Sequence, residues 1–157
     1  MSEQALTGVR ILDFSQVLAG PFATQLMAQL GAQVIKVEQP VGGDMTRGLM
    51  SASSDGMAPS FLAANLGKRS LTLDLKNPKA KEIVHKLVAE ADVLVENFKP
   101  GTIERLGFGF EAMKAIKPDL VYASISGFGQ TGPRANLPAF DGAIQAYSGM
   151  MSISGHA

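Results

Sequence analysis

The sequence predicts an α/β fold, a Rossmann-like open and mostly parallel sheet with helices on both faces. Three observations carry that expectation. Short apolar runs alternate along the chain with segments of helical periodicity, the succession that builds parallel strands joined by crossover helices. The apolar runs at 9–14 and 34–37 bracket a helix-spaced segment, which makes a βαβ unit of the nucleotide-binding type. The clearest helix, opened by Asn77-Pro78, carries a single apolar stripe and therefore packs one side on a sheet.

Taken in order, Val9, Ile11, Leu12 and Phe14 make a first strand of the length and apolarity of a buried parallel strand. Gly20 then permits a sharp turn, and Pro21 is expected at the first helical position, where its missing N–H costs nothing. Phe22, Leu26, Met27 and Leu30 recur at helical spacing, and Gly31 is placed to close the helix in the left-handed conformation. Val34, Ile35 and Val37 form the second strand. The loop between the first strand and this helix is expected to aim backbone N–H groups at a ligand.

Residues 40–60, rich in Gly, Pro and Ser, read as a long loop of the functional or mobile kind. A short helix at 60–66 stops at Gly67. Leu71, Leu73 and Leu75 alternate with Thr72 and Asp74, which reads as a strand over 70–75 with one wet face. Asn77 caps the long helix and Pro78 begins it. Ala80, Ile83, Val84, Leu87, Val88 and Ala91 form its apolar stripe, opposite Lys79, Lys81, Glu82, Lys86 and Glu90. A buried strand at 92–97, two short helices (one carrying Glu104 and Arg105, the next at 111–116) and a strand at 120–126 follow. A Gly/Pro-rich loop over 127–138 leads to an apolar helix at 140–151. Residues 1–157 thus read as the N-terminal part of one domain, cut before that domain is complete.

Composition excludes several classes. Fourteen Lys and Arg balance fourteen Asp and Glu, without the basic excess of a general nucleic-acid binder. There are no cysteines, so neither a disulfide framework nor a thiolate metal site is possible. His85 and His156 lie far apart without ligand spacing, and no metal is expected. No apolar run approaches the roughly 18 residues of a membrane span, and the N-terminus lacks a leader pattern, so a cytoplasmic setting is expected.

In such a sheet the ligand crevice lies beyond the carboxyl ends of the strands. Four loops qualify: 15–20, 38–43, 96–101 and 126–132. The first lacks G-x-G-x-x-G, which argues against NAD, although Glu38 stands where a ribose-binding acid would. Its alternative is a solvated strand-end carboxylate. Lys36, Arg47, Lys68, Arg69, Lys76, Lys99 and Arg105 recur near these loops, as a ligand with several phosphates requires. Singly, each reads equally as a surface charge. Asp141 is placed to favour a helix dipole, and no G-x-S-x-G supports a hydrolase serine.

Several stretches together resemble the class III CoA-transferase family, the group of formyl-CoA and carnitine CoA-transferases and alpha-methylacyl-CoA racemase. They are Leu6-Thr-Gly-Val-Arg-Ile-Leu-Asp-Phe-Ser with Ala19-Gly-Pro, Leu30-Gly-Ala-Gln-Val-Ile-Lys-Val-Glu, Gly43-Asp-Met-Thr-Arg, and Asn65-Leu-Gly-Lys-Arg-Ser-Leu-Thr-Leu-Asp-Leu. Ala91-Asp-Val-Leu-Val-Glu-Asn-Phe-Lys-Pro-Gly, Ser124-Ile-Ser-Gly-Phe-Gly-Gln-Thr-Gly-Pro and Asp141 through Gln145 to Ser148-Gly149 continue the series. The resemblance implies an acyl-CoA and a carboxylic acid as substrates, coenzyme A as a substrate rather than a cofactor, and an interlocked homodimer. It places CoA contacts at Val17 and Leu18, at Leu73, Asp74, Leu75 and Lys76, at Asn97, Phe98 and Lys99, and at Arg105. Gln39 stands where some members carry an arginine, which removes one phosphate contact. The family's aspartate nucleophile would fall about a dozen residues past Ala157, so no catalytic residue is expected here and the segment alone should be inactive. Racemase members carry a proton-transferring histidine where this chain has Phe140, which favours transferase. A racemase relative, or an inactive nucleotide-binding or interaction module, are the alternatives.

Overall fold

The computed structural model describes residues 3–49 and 57–155. In chain order the elements are β1 (Arg10–Asp13), α1 (Ala19–Gln29), β2 (Gln33–Glu38), a 3₁₀ turn (Met45–Gly48), α2 (Pro59–Asn65), β3 (Arg69–Thr72) and α3 (Pro78–Glu90). Then come β4 (Val93–Glu96), α4 (Thr102–Arg105), α5 (Phe110–Ile116), β5 (Val121–Ser124), α6 (Asp141–Ser148) and α7 (Met150–Ile153). The five strands pair in parallel throughout, in the order β3-β2-β1-β4-β5. The expected doubly wound sheet is therefore present, with every pairing parallel.

Alternation along the strands sorts the core into two layers. Leu12, Phe14, Val37 and Leu94 face α3 and α5, packing with Val84, Val88, Ile103, Phe108, Met113 and Leu120. Ile11, Val34 and Val95 face the other way with Ala32, and Met27 and Ala28 of α1 cover them. Asn77 accepts from the Lys79 N–H at 3.0 Å and Pro78 begins α3, as its cap pattern requires.

Four expectations are corrected. Pro21 is the third residue of α1 rather than the first, because the helix already starts at Ala19. β3 ends at Thr72, and 73–77 turns instead of continuing as strand. The Asp74 side chain accepts from the Lys76 N–H at 3.0 Å and its carbonyl from the Asn77 N–H at 2.9 Å, a local turn that outcompetes the alternating leucines. The loop at 40–60 contains the 3₁₀ turn, with Asp44 as its cap; residues 50–56 lie outside the described ones. The expected helix at 140–151 is two helices, α6 and α7, separated at Gly149, whose φ of 80° no continuing helix adopts.

Candidate functional site at the carboxyl ends of the strands

β1 has β2 on one side and β4 on the other. The chain winds outward from β1 through β2 to β3, then returns to place β4 beside β1. The crevice between their carboxyl ends is the point where ligands enter such sheets. Two loops meet there, 14–18 after β1 and 97–101 after β4.

The first loop is gripped along its backbone. The Lys36 ammonium donates to the Ser15 carbonyl at 2.7 Å. Asn97 accepts from the Gln16 N–H at 2.8 Å and donates to the Gln16 carbonyl at 2.7 Å. The Asp44 carboxylate accepts from the Val17 N–H at 3.2 and 3.3 Å. Val17 itself stands at φ 68°, the sole non-glycine residue at positive φ among the described residues. A β-branched side chain in that region is strained, and such conformations persist where surrounding structure enforces them.

Behind the loop, on the α1 face, lies a set of buried ion pairs. Asp13 is fully buried and accepts from Lys68 at 2.9 Å, from Thr24 at 2.7 Å and from the Ser15 N–H at 2.9 Å, with the Ser15 hydroxyl also bonded to it. Lys68 donates further to the Pro21 carbonyl at 2.8 Å and to Asn65 at 2.9 Å, tying α1 to α2. Lys36 pairs with Asp44 at 2.9 Å. Arg47 forks onto Glu38 at 2.7 and 2.8 Å and lies 3.6 Å from the centre of the Phe61 ring. Ser70 and the Asp44 N–H complete the Glu38 shell at 2.7 and 2.9 Å.

The electrostatics follow from burial and partners. Burial raises the Glu38 carboxyl, but bonds from Arg47, Ser70 and the Asp44 N–H outweigh it and hold the group at about 2. Burial likewise opposes ionisation of Asp44, and its bonds from Lys36 and Thr46 prevail to bring it below its ordinary value. For Lys68 burial wins, pulling the ammonium below its usual range against the attraction of Asp13.

This geometry changes the reading of several residues. Lys36, Arg47 and Lys68 are held by Asp44, Glu38 and Asp13 and are not offered to a phosphate. Glu38 is neither a solvated carboxylate nor a free ribose acceptor, since Arg47 and Ser70 occupy it. The Gln16 and Val17 N–H groups point to Asn97 and Asp44, so the loop does not present them to a ligand as expected. The sequence reading quoted Asp13, Ser15 and Asp44 within the matching stretches but gave none of them a role. A signal existed: Asp13, Lys36 and Glu38 are charges inside otherwise apolar parallel strands, positions that ionic residues occupy only when paired.

Of the expected contact residues, Val17 and Leu18 are exposed in the first loop, and the Asn97 amide is spent on the neighbouring Gln16. Leu73, Leu75 and Phe98 pack on the edge of the α3-side core. That layer carries the turn at 73–76 and the loop at 97–99 on one face of the sheet. Lys76 and Lys99 are exposed and form no ion pair among the described residues. Arg105 is exposed on α4 and donates to the Thr102 hydroxyl at 2.9 Å. The exposed Asp74 side chain is engaged by its own turn.

Beside this crevice an open cleft of ≈ 560 Å³ is lined by Pro100, Gly101, Glu104, Phe110, Tyr122, Ser124 and Gln130. Glu96 is buried beneath it, accepting from the Phe98 N–H at 2.8 Å and from Ser124, and burial raises its carboxyl above the ordinary range. A smaller cavity of ≈ 240 Å³ lies under α3 and includes Arg10, Gln33 and Arg69, which begin three strands. It is at the amino ends, away from the crevice. No cluster of ligating side chains suited to a metal occurs among the described residues, and no helix there is long and apolar enough to cross a membrane. His85 is exposed on α3 and His156 lies outside the described residues.

The close approach of α1 to the loop depends on Gly20. A Cβ there would lie 2.3 Å from the Ser15 Cβ and 2.5 Å from its hydroxyl. Gly20→Ala is expected to lower stability by about 1–3 kcal/mol despite the higher helix propensity of alanine, because Ser15 must leave Asp13. A thermal melt reads this directly; an unchanged or raised Tm would show that the loop has slack.

Fold and crevice together define a doubly wound α/β protein whose strand order reverses between β1 and β4. The chain belongs to CoA-transferase family III, which it matches over residues 6–157. It is 44% identical over 156 residues to a succinate–glutarate CoA-transferase of Agrobacterium fabrum, covering 96% of this chain and 39% of that protein. It is 47% identical over 152 residues to a formyl-CoA:oxalate CoA-transferase of Bradyrhizobium diazoefficiens, covering 97% of this chain and 36% of that relative. Among solved structures, a CAIB/BAIF family protein from Brucella suis superposes with a TM-score of 0.92 at 43% identity, over 99% of this chain and 42% of that one. The chain thus spans less than two fifths of the length of these curated relatives.

Proposed function

We propose that this chain supplies the CoA-binding part of a CoA-transferase, which moves CoA between an acyl-CoA thioester and a carboxylic acid. Family membership supports the reaction class. The observation that carries the site is the locking of loop 15–18 to loop 97–99 through Asn97 at the switch point, with the cations of Lys76, Lys99 and Arg105 exposed at the same end of the sheet. In this reading Lys76, Lys99 and Arg105 meet the phosphates, by charge for the lysines and by a planar fork for the arginine. Leu18, 61% exposed, and Phe98 offer apolar surface, while Val17 and the turn Leu73, Asp74 and Leu75 shape the walls.

No residue of this chain is assigned to the covalent chemistry. The aspartyl route requires a carboxylate that attacks the thioester carbonyl and expels the CoA thiolate, leaving an acyl–enzyme anhydride. The thiolate then displaces the donor acid as its carboxylate to form an aspartyl-CoA thioester. The acceptor carboxylate attacks that thioester, expels the thiolate and forms a second anhydride. The thiolate attacks its acceptor carbonyl to give the new acyl-CoA and free the aspartate. That aspartate belongs to residues after Ala157 in this reading, and Asp141, bonded to Gln145 at 2.6 Å, is not it. Phe140 stands 81% exposed where a racemase relative needs a proton carrier, and a phenyl ring carries none. The same reading carries a cytoplasmic setting and an interlocked homodimer of the full-length enzyme, and sedimentation of that enzyme tests the dimer.

Titration of the full chain with CoA and with dephospho-CoA tests the site. A ligand phosphate bonded to Arg or Lys contributes about 1.5–3 kcal/mol, so loss of the 3′-phosphate is expected to weaken binding at least about tenfold. Equal affinity for the two, or preferential binding of NAD, would overturn the CoA assignment.

A further inference from the structure

We propose that Asp44, charged and held by Lys36, is a positioning residue that keeps Val17 in its left-handed conformation and so sets the shape of the candidate CoA loop. The inference rests on the reading of loop 15–18 as a ligand loop, but its physical content is independent of the ligand. Val17 at φ 68° holds a conformation that a β-branched residue occupies only under strain. The loop has to be held against it. The Asp44 carboxylate is the group that meets the Val17 N–H, and Lys36 fixes the preceding Ser15 carbonyl from the same ion pair.

Asp44 is suited to this because nothing else about it is free. Its carboxylate also accepts from the Thr46 N–H at 2.9 Å and the Thr46 hydroxyl at 2.8 Å, and its own N–H donates to Glu38 at 2.9 Å. Five donor contacts therefore converge on two oxygens, and the residue is anchored in the 3₁₀ turn that follows β2. An asparagine there would offer one accepting oxygen and turn an NH₂ group toward either Lys36 or the amides, where only donors stand. Released from this hold, Val17 relaxes to negative φ, and the direction of the chain through Leu18 into α1 changes with it. The apparent dissociation constant of the ligand then rises as the fraction of correctly shaped loop falls.

The test compares Asp44→Asn, Val17→Gly and the double variant in the full chain. Amide exchange over residues 15–18 is read without ligand, and CoA affinity is read by titration. Asp44→Asn is expected to speed exchange of the Val17 amide while β1 and β2 stay protected, and to weaken CoA binding at least about tenfold, the worth of a charge-assisted hydrogen bond. In the Val17→Gly background the same substitution is expected to cost no more than about threefold, because glycine holds positive φ at little cost. A merely structural Asp44 would give equal losses in both backgrounds, and that result, or unchanged Val17 exchange, overturns the proposal. Where Asp44→Asn alone does not fold, Lys36→Met with Asp44→Asn removes both charges together and the same comparison is made on it. If the unsubstituted chain binds no CoA, the functional reading fails, and the exchange arm still decides the role of Asp44.

Discussion

Replacing Lys68 with methionine is expected to lower stability by about 3–5 kcal/mol, the cost of leaving a buried charge without its partner. The ammonium sits between Asp13, the Pro21 carbonyl and Asn65, so one substitution strips a counter-ion from β1 and two ties from α1 and α2. Ser15 and Thr24 would still bond the Asp13 carboxylate, but neither neutralises it. Against a typical domain stability of about 5–15 kcal/mol, this removes a large fraction. The urea midpoint should fall with an unchanged slope. Adding Asp13→Asn to Lys68→Met should restore part of the loss, since the remaining amide is neutral. A single-variant loss below about 1 kcal/mol would mean that Asp13 is solvated in solution, as exposed ion pairs are.

The second large effect is one of pH. Glu38 has an ordinary value of 4.5 and is held at about 2 in the fold. Its folded value is depressed, so its contribution is fully present above 4.5 and is lost as pH falls toward 2. Each tenfold drop in proton affinity is worth about 1.4 kcal/mol, which makes the contribution about 3 kcal/mol at neutral pH. Stability measured from pH 6 down to 2 should therefore drop through this window. Arg47→Met should remove most of that slope while itself lowering stability at neutral pH. A slope of the same size in Arg47→Met would assign the acid sensitivity to other carboxylates.

Much of the fold was legible because its signals are local. Apolar runs of strand length and the stripe of Ala80, Val84 and Val88 under the Asn77-Pro78 start lie within single elements, and those elements formed. β3 was over-extended because Leu71, Leu73 and Leu75 satisfy the strand period, whereas the Asp74 turn that stops it depends on one side chain bending back. The site was legible in outline and misread in its charges. Asp13 and Lys68 are 55 residues apart, and Asn97 and Gln16 are 81 apart. No local period links such pairs. A lysine in sequence therefore looks available for phosphate until the sheet order shows which carboxylate it meets. Among the lysines, Lys36 was the exception that its place in the sequence could have flagged, since it stands between Ile35 and Val37 in a buried strand.

The hold on loop 15–18 falls on peptide groups, and it makes no use of the Gln16 side chain, which forms no hydrogen bond among the described residues. Residue identity at 16 is thereby uncoupled from loop shape, as it is at the outward-facing Leu18. A randomised library at those two positions can therefore rewrite what the loop says to its ligand while Lys36, Asp44 and Asn97 keep how it is said. The ion pairs that looked like idle phosphate ligands are what leaves that freedom open.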